Sequence, residues 1–149
     1  MTTIAFDGVT VAADSLVLDA FDMKEDAPDK IWSNAFVVIG GAGPRGKLLK
    51  WYKTLGPHTD ATTLLEEGYL PYEADKNDPH ILLVDRATRK VYRHVDGIFI
   101  PATHEYFAVG SGRDYALAAM SLGFSARIAV ETAIKFDNNT GGDIYTVTV

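Results

Sequence analysis

The sequence contains no cysteine. Disulfides, thiolate zinc sites and a cysteine nucleophile are therefore excluded, and a reducing cytoplasmic setting fits. No apolar run approaches the roughly 20 residues needed to span a bilayer. The first residues lack the basic start and apolar stretch of a secretory signal. Basic side chains are also scarce: 14 Lys and Arg stand against 20 Asp and Glu, for a net charge of -6. With no cationic excess to neutralise phosphates, a nonspecific nucleic-acid binder is not expected. The histidines at 58, 80, 94 and 104 form no catalytic pattern. The acidic stretch DMKEDAPD (22–29) lacks EF-hand spacing, so neither a metal nor a cofactor is expected.

What is present reads as one domain over residues 1–149, with no repeat, low-complexity tract or linker. TTIAF (2–6) and VTVAAD (9–14) read as strands about the turn signal Asp7-Gly8. Residues 15–29 are mixed and acidic and read as a long connection. KIW and AFVVIG suggest a second hairpin around Ser33-Asn34, ending in the glycine turn GGAGPRG (40–46). KLLKWYKTL (47–55) has helical apolar spacing. Thr59 or Asp60 suits the cap of a short helix through Glu67. A turn-rich loop (68–79) precedes the strands HILLVD (80–85) and KVYRHV (90–95). YFAVGSG (106–112) is a strand entering a glycine turn, RDYALAAMSLG (113–123) and the segment from Ser125 are helices, and DIYTVTV closes the chain. Strands dominate both ends and helices cluster between them, which suggests an α+β protein with layers of antiparallel sheet and helix.

The N-terminus carries possible chemistry. If Met1 is removed, Thr2 presents an α-amine with a typical pKa of about 7.7–8.0 beside its own hydroxyl. An N-terminal threonine is a nucleophile that carries its own base. The dipeptide Thr2-Thr3 also fits two β-formers that simply open a strand.

Further segments resemble the catalytic core of proteasome β-subunits and of the bacterial peptidase HslV, N-terminal-nucleophile hydrolases with a catalytic threonine. VAADS, followed by DKIW, places Asp14 and Lys30 sixteen positions apart, as in that family. VVIGGAG (37–43) resembles the end of its fourth strand. AVGSGRDYA (108–116) resembles its strand–Gly-Ser-Gly–helix element; the same stretch lacks GxGxxG and the GK[ST] ending of a phosphate loop. FDNNTGGDIYTV (136–147) resembles its aspartate, hydroxyl residue and glycine pair. The matches run in order along nearly the whole chain.

The resemblance implies a four-layer αββα sandwich and a threonine-type peptide hydrolase. Thr2 would be the nucleophile, Lys30 held by Asp14 would tune its deprotonation, and the Gly43 N–H would form the oxyanion hole. Ser111, Asp137 and Thr140 would orient the amine, while Gly41, Gly43 and Thr3 would border the substrate. It further implies a homo-oligomeric, self-compartmentalising ring acting on peptides or unfolded proteins, fed by an ATP-dependent unfoldase. The segment after GPRGKLLKWYKTL is shorter than the family's two long helices, and 15–29 lacks its small, glycine-rich composition. The alternatives are a catalytically inactive scaffold ring protein that retains Met1 and keeps the fold, and a small-molecule amidase that shares the nucleophile but not the chamber.

Overall fold

The computed structural model describes residues 2–18, 24–26, 30–67 and 75–149. In chain order the strands are β1 (Thr3–Phe6), β2 (Thr10–Ala13), β3 (Leu16–Leu18), β4 (Lys24–Asp26), β5 (Ile31–Ser33) and β6 (Val37–Ala42). Helices α1 (Arg45–Lys53) and α2 (Ala61–Glu67) follow. Then come β7 (His80–Asp85), β8 (Val91–Val95), β9 (Ile98–Pro101), β10 (Phe107–Gly110), helices α3 (Arg113–Ser121) and α4 (Ala126–Phe136), and β11 (Tyr145–Thr148).

Two antiparallel sheets pack face to face. One has the order β10-β1-β2-β11 and the other β5-β6-β7-β8-β9. The period-2 alternation of side chains decides what each face touches. Ile4, Phe6, Val11 and Ala13 meet Val38, Leu82 and Val84 between the sheets. The opposite face of the first sheet presents Ala5, Ala12 and Ala108, and α3 and α4 lie on it through Ala116, Ala119, Ala126, Ala129 and Val130. Small residues on both sides let these helices approach closely. The outer face of the second sheet buries Val37, Ile39, Ile81 and Leu83 against Leu48, Trp51, Tyr52 and Leu64 of α1 and α2. The result is the expected αββα sandwich with a shortened helical layer, since α2 spans seven residues.

Asp60 rather than Thr59 caps α2: its Oδ1 accepts from Thr63 N at 2.8 Å, while Thr59 Oγ1 accepts from Gly56 N. Three strands, the pair β3 and β4 and the single strand β9, depart from the sequence reading. Within the presumed connection 15–29, β3 and β4 pair antiparallel, Leu16 opposite Asp26. Lys24-Glu25-Asp26 has low strand propensity, so backbone pairing alone reveals it. The rest of that connection (19–23 and 27–29) and most of the loop 68–79 (68–74) lie outside the described residues. Strand β9 is the other departure. Its turn places Asp96 at φ 49 and Gly97 at φ 85, the left-handed pair of a tight hairpin.

Trp51 is fully buried in the helix-side core, edge-on to His94 and Phe99 at centroid distances of 5.7 and 6.0 Å. Trp51→Ala should cost about 3–5 kcal/mol in urea unfolding, because truncating a large aromatic leaves a cavity; a loss under about 1 kcal/mol would contradict this packing.

Candidate active site

The two N-terminal strands end where three other segments converge. Asp14 follows β2, and its amide donates to Thr3 O at 3.2 Å, so the β1–β2 ladder runs one residue further. Its carboxylate is fully buried. Oδ1 accepts from Thr3 N at 2.9 Å and from Lys30 Nζ at 2.9 Å. Oδ2 accepts from Gly141 N at 3.0 Å. Lys30 is buried too; its Nζ also donates to Leu16 O at 2.6 Å, and its carbonyl accepts from Tyr52 Oη at 2.7 Å. The ion pair is thus desolvated yet hydrogen-bonded on both sides, the condition under which a buried pair is tolerated.

A second network lies across β1. Thr2 N donates to Ser111 Oγ at 3.3 Å, Ser111 Oγ donates to Asp137 Oδ2 at 2.6 Å, and Thr140 Oγ1 donates to the same oxygen at 2.5 Å. Thr3 Oγ1 lies 2.8 Å from Thr140 Oγ1. A hydroxyl has one proton, which fixes the polarity. Thr140 gives its proton to Asp137 and so accepts from Thr3. Ser111 does likewise, so its lone pair faces the Thr2 nitrogen. Partial burial alone would raise the Asp137 carboxyl, but hydrogen bonds from Ser111, Thr140 and Asn139 N–H outweigh it and hold the group below its ordinary value of 3.8.

The Gly-Ser-Gly turn is required by close approach. Gly110 has φ +103, and a Cβ there would fall 1.9 Å from Thr2 O. A Cβ on Gly112 would fall 2.0 Å from Thr3 Oγ1. Bare backbone at both points lets Ser111 reach Thr2. The turn 137–142 is clamped in the same way: Gly141 O accepts from Ser15 N and Leu16 N at 3.1 and 3.0 Å.

The structure therefore brings Thr2, Asp14, Lys30, Ser111, Asp137 and Thr140 into one connected group. Gly43 lines a cleft of about 730 Å³ together with Gly110 and Ser111. Gly41 and Thr3, expected at the substrate border, are not among the residues that line this cleft. A side chain at Gly41 would point at Leu48 and Ile81, into the helix-side core. Thr3 is fully buried, with its amide and hydroxyl committed to Asp14 and Thr140, so it supports the site from behind. Sequence reasoning passed over Leu16 O, Tyr52 Oη and the Gly141 N–H. Only the glycine pair 141–142 hinted at the last, and nothing in the sequence marks a carbonyl as an acceptor. Among the described residues no group of three or more His, Asp or Glu is arranged to hold a metal ion, and no helix is long and apolar enough to cross a membrane.

The Asp137 shift sets a pH dependence. A depressed carboxyl contributes stability that is fully present above its unfolded value and lost as pH falls through the lower folded one. Asp137→Asn should therefore be less stable than wild type at neutral pH, and the gap should close as pH falls below about 4. Urea titrations from pH 7 to 2 check this; a constant gap throughout would show that Asp137 is not held ionised by its partners.

No family model matches the chain, and no curated protein matches it in sequence. Solved structures do match over its whole length. The BPH protein of Thiobacillus denitrificans in complex with epoxomicin superposes with a TM-score of 0.71 at 20% identity, covering 99% of this chain and 97% of that one. Another BPH structure from the same organism gives 0.68 at 22%, covering 99% and 96%. Eukaryotic HslV from Trypanosoma brucei gives 0.66 at 20%, covering 99% of each chain. The chain has the αββα fold of these HslV and BPH proteins.

Proposed function

We propose that this protein is a threonine-type peptide hydrolase whose nucleophile is Thr2 after removal of Met1. The observation that carries the reading is the hydrogen bond from Thr2 N to Ser111 Oγ, continued to Asp137. While Met1 precedes it, the nitrogen is an amide N–H. Once freed, a neutral amine keeps one N–H on Ser111 and has its lone pair left to take the Thr2 hydroxyl proton, directly or through a water. Lys30, fixed by Asp14 and Leu16 O, puts a positive charge near this centre and favours the deprotonated hydroxyl. Asp137 keeps Ser111 in its accepting orientation.

Thr2 Oγ then attacks the peptide carbonyl. The tetrahedral oxyanion is stabilised by the Gly43 N–H, a type of donor worth about 10²–10³ in rate. Collapse expels the amine half of the peptide, which leaves with the proton the α-amine had taken. Water, deprotonated by the same amine, hydrolyses the acyl ester and restores Thr2. The substrates are peptides or unfolded proteins, and the setting is a cytoplasmic homo-oligomeric ring supplied by an ATP-dependent unfoldase. The fold and its likeness to a BPH protein solved with epoxomicin support this reading.

Incubation with epoxomicin followed by peptide mapping tests it. The expected outcome is loss of Met1 by intact mass and an adduct confined to the N-terminal peptide. With Thr2→Ala the adduct should be absent and hydrolysis should fall by about three orders of magnitude or more. A retained Met1 without an adduct would point to a scaffold subunit. An adduct on a protein of low oligomeric state would point to an amidase of small molecules.

A further inference from the structure

The cleft beside Ser111 has a charge unlike the rest of the molecule. The chain carries a net charge of -6, yet Lys76, Arg93 and Arg113 all line this cleft, as does His80. Arg93 and Lys76 form no ion pair among the described residues. Among the described residues Arg113 pairs with Asp114, at 3.4 Å and with both side chains more than half exposed, a pair of little strength. The lining carboxylate, Asp78, is already held by Lys47 at 2.9 Å, which also binds Asp75 at 2.8 Å. The cleft thus presents two guanidinium groups and an ammonium against one carboxylate, Asp78, which shares the Lys47 ammonium with Asp75. Its walls concentrate that potential. Guanidinium groups suit carboxylates in particular, because their donor fork matches the two oxygens.

The position of the cleft gives the charge a use. Gly43, Gly110 and Ser111 also line it, and Ser111 is the residue bonded to the Thr2 nitrogen. We infer that this cleft is a specificity subsite for acidic side chains of the peptide substrate next to the scissile bond, with Arg93 and Arg113 as the carboxylate-binding residues. The inference rests on the peptide-hydrolase reading. It adds that Asp- and Glu-containing peptides are preferred over their amide or lysine counterparts, and that the preference weakens with salt, because the charges are exposed and screened.

Binding and turnover are measured separately on the processed protein. The probes are fluorescein-labelled decapeptides of one frame carrying three Glu, three Gln or three Lys, followed by anisotropy and by cleavage in parallel. The Glu peptide should bind about ten-fold more tightly than the Gln peptide at low salt, as two partly exposed charge-assisted contacts would give. Raising the salt should erode that margin. Arg93→Glu/Arg113→Glu should abolish or invert it, while Arg127→Glu, on α4 and outside the cleft lining, should leave it intact. Equal binding of Glu and Gln peptides, or a preference that survives the double reversal, overturns the subsite. Displacement of the Glu peptide by inorganic phosphate at equal concentration also overturns it in favour of a simple anion site. Charge-selective binding with no cleavage of any peptide upholds the cleft and rejects the hydrolase reading. Cleavage without charge preference does the reverse.

Discussion

The buried carboxylate of Asp14 is the constraint on which the rest of the site depends. One oxygen joins the β1 backbone to the Lys30 ammonium, and the other takes the Gly141 N–H. Three segments far apart in sequence are thereby tied to one side chain that no solvent reaches. An ionised group so placed is tolerable only when each partner is present. Taking away one partner of a buried pair typically costs about 3–5 kcal/mol. The same requirement that makes Asp14 expensive makes the geometry around it narrow.

From that anchor the hydroxyl network follows. Gly141 held at Asp14 fixes the turn that carries Thr140, and Thr140 with Ser111 converges on Asp137. Each hydroxyl spends its only proton on the carboxylate, so the chain of hydrogen bonds has one direction while Asp137 stays ionised. The nitrogen of Thr2 therefore meets an acceptor and not a donor. In the proposed mechanism Lys30 favours a deprotonated hydroxyl and Asp137, through Ser111, orients the nitrogen.

Much of this arrangement was legible in the sequence, and the exceptions are instructive. The first hairpin, the glycine-ended strands, the two late helices and the clustered residues Thr2, Asp14, Lys30, Ser111, Asp137 and Thr140 all stand on residue types whose chemistry is local. Thr3 and Gly41 could not be placed, because the face a strand residue presents depends on register, and register is a tertiary fact. Thr3 turns toward the helices with Ala5, and Gly41 turns toward α1. The strand Lys24–Asp26 was hidden for another reason. Its pairing is made by backbone groups that every residue carries, under side chains that argue for a loop. Leu16 O and Gly141 N–H were invisible on the same ground.

The alanine seam beneath α3 and α4 has a consequence for how the site can fail. Asp137 stands at the end of α4 and Ser111 just ahead of α3, so the depth at which these helices seat on the sheet decides how far each oxygen lies from its neighbour. Ala5, Ala12, Ala108 and Ala129 set that depth. A methyl group added at any of them would lift a helix by a fraction of an ångström and misalign a hydrogen bond it never touches. The tolerance of the chemistry is thus written in the smallest side chains of a distant layer.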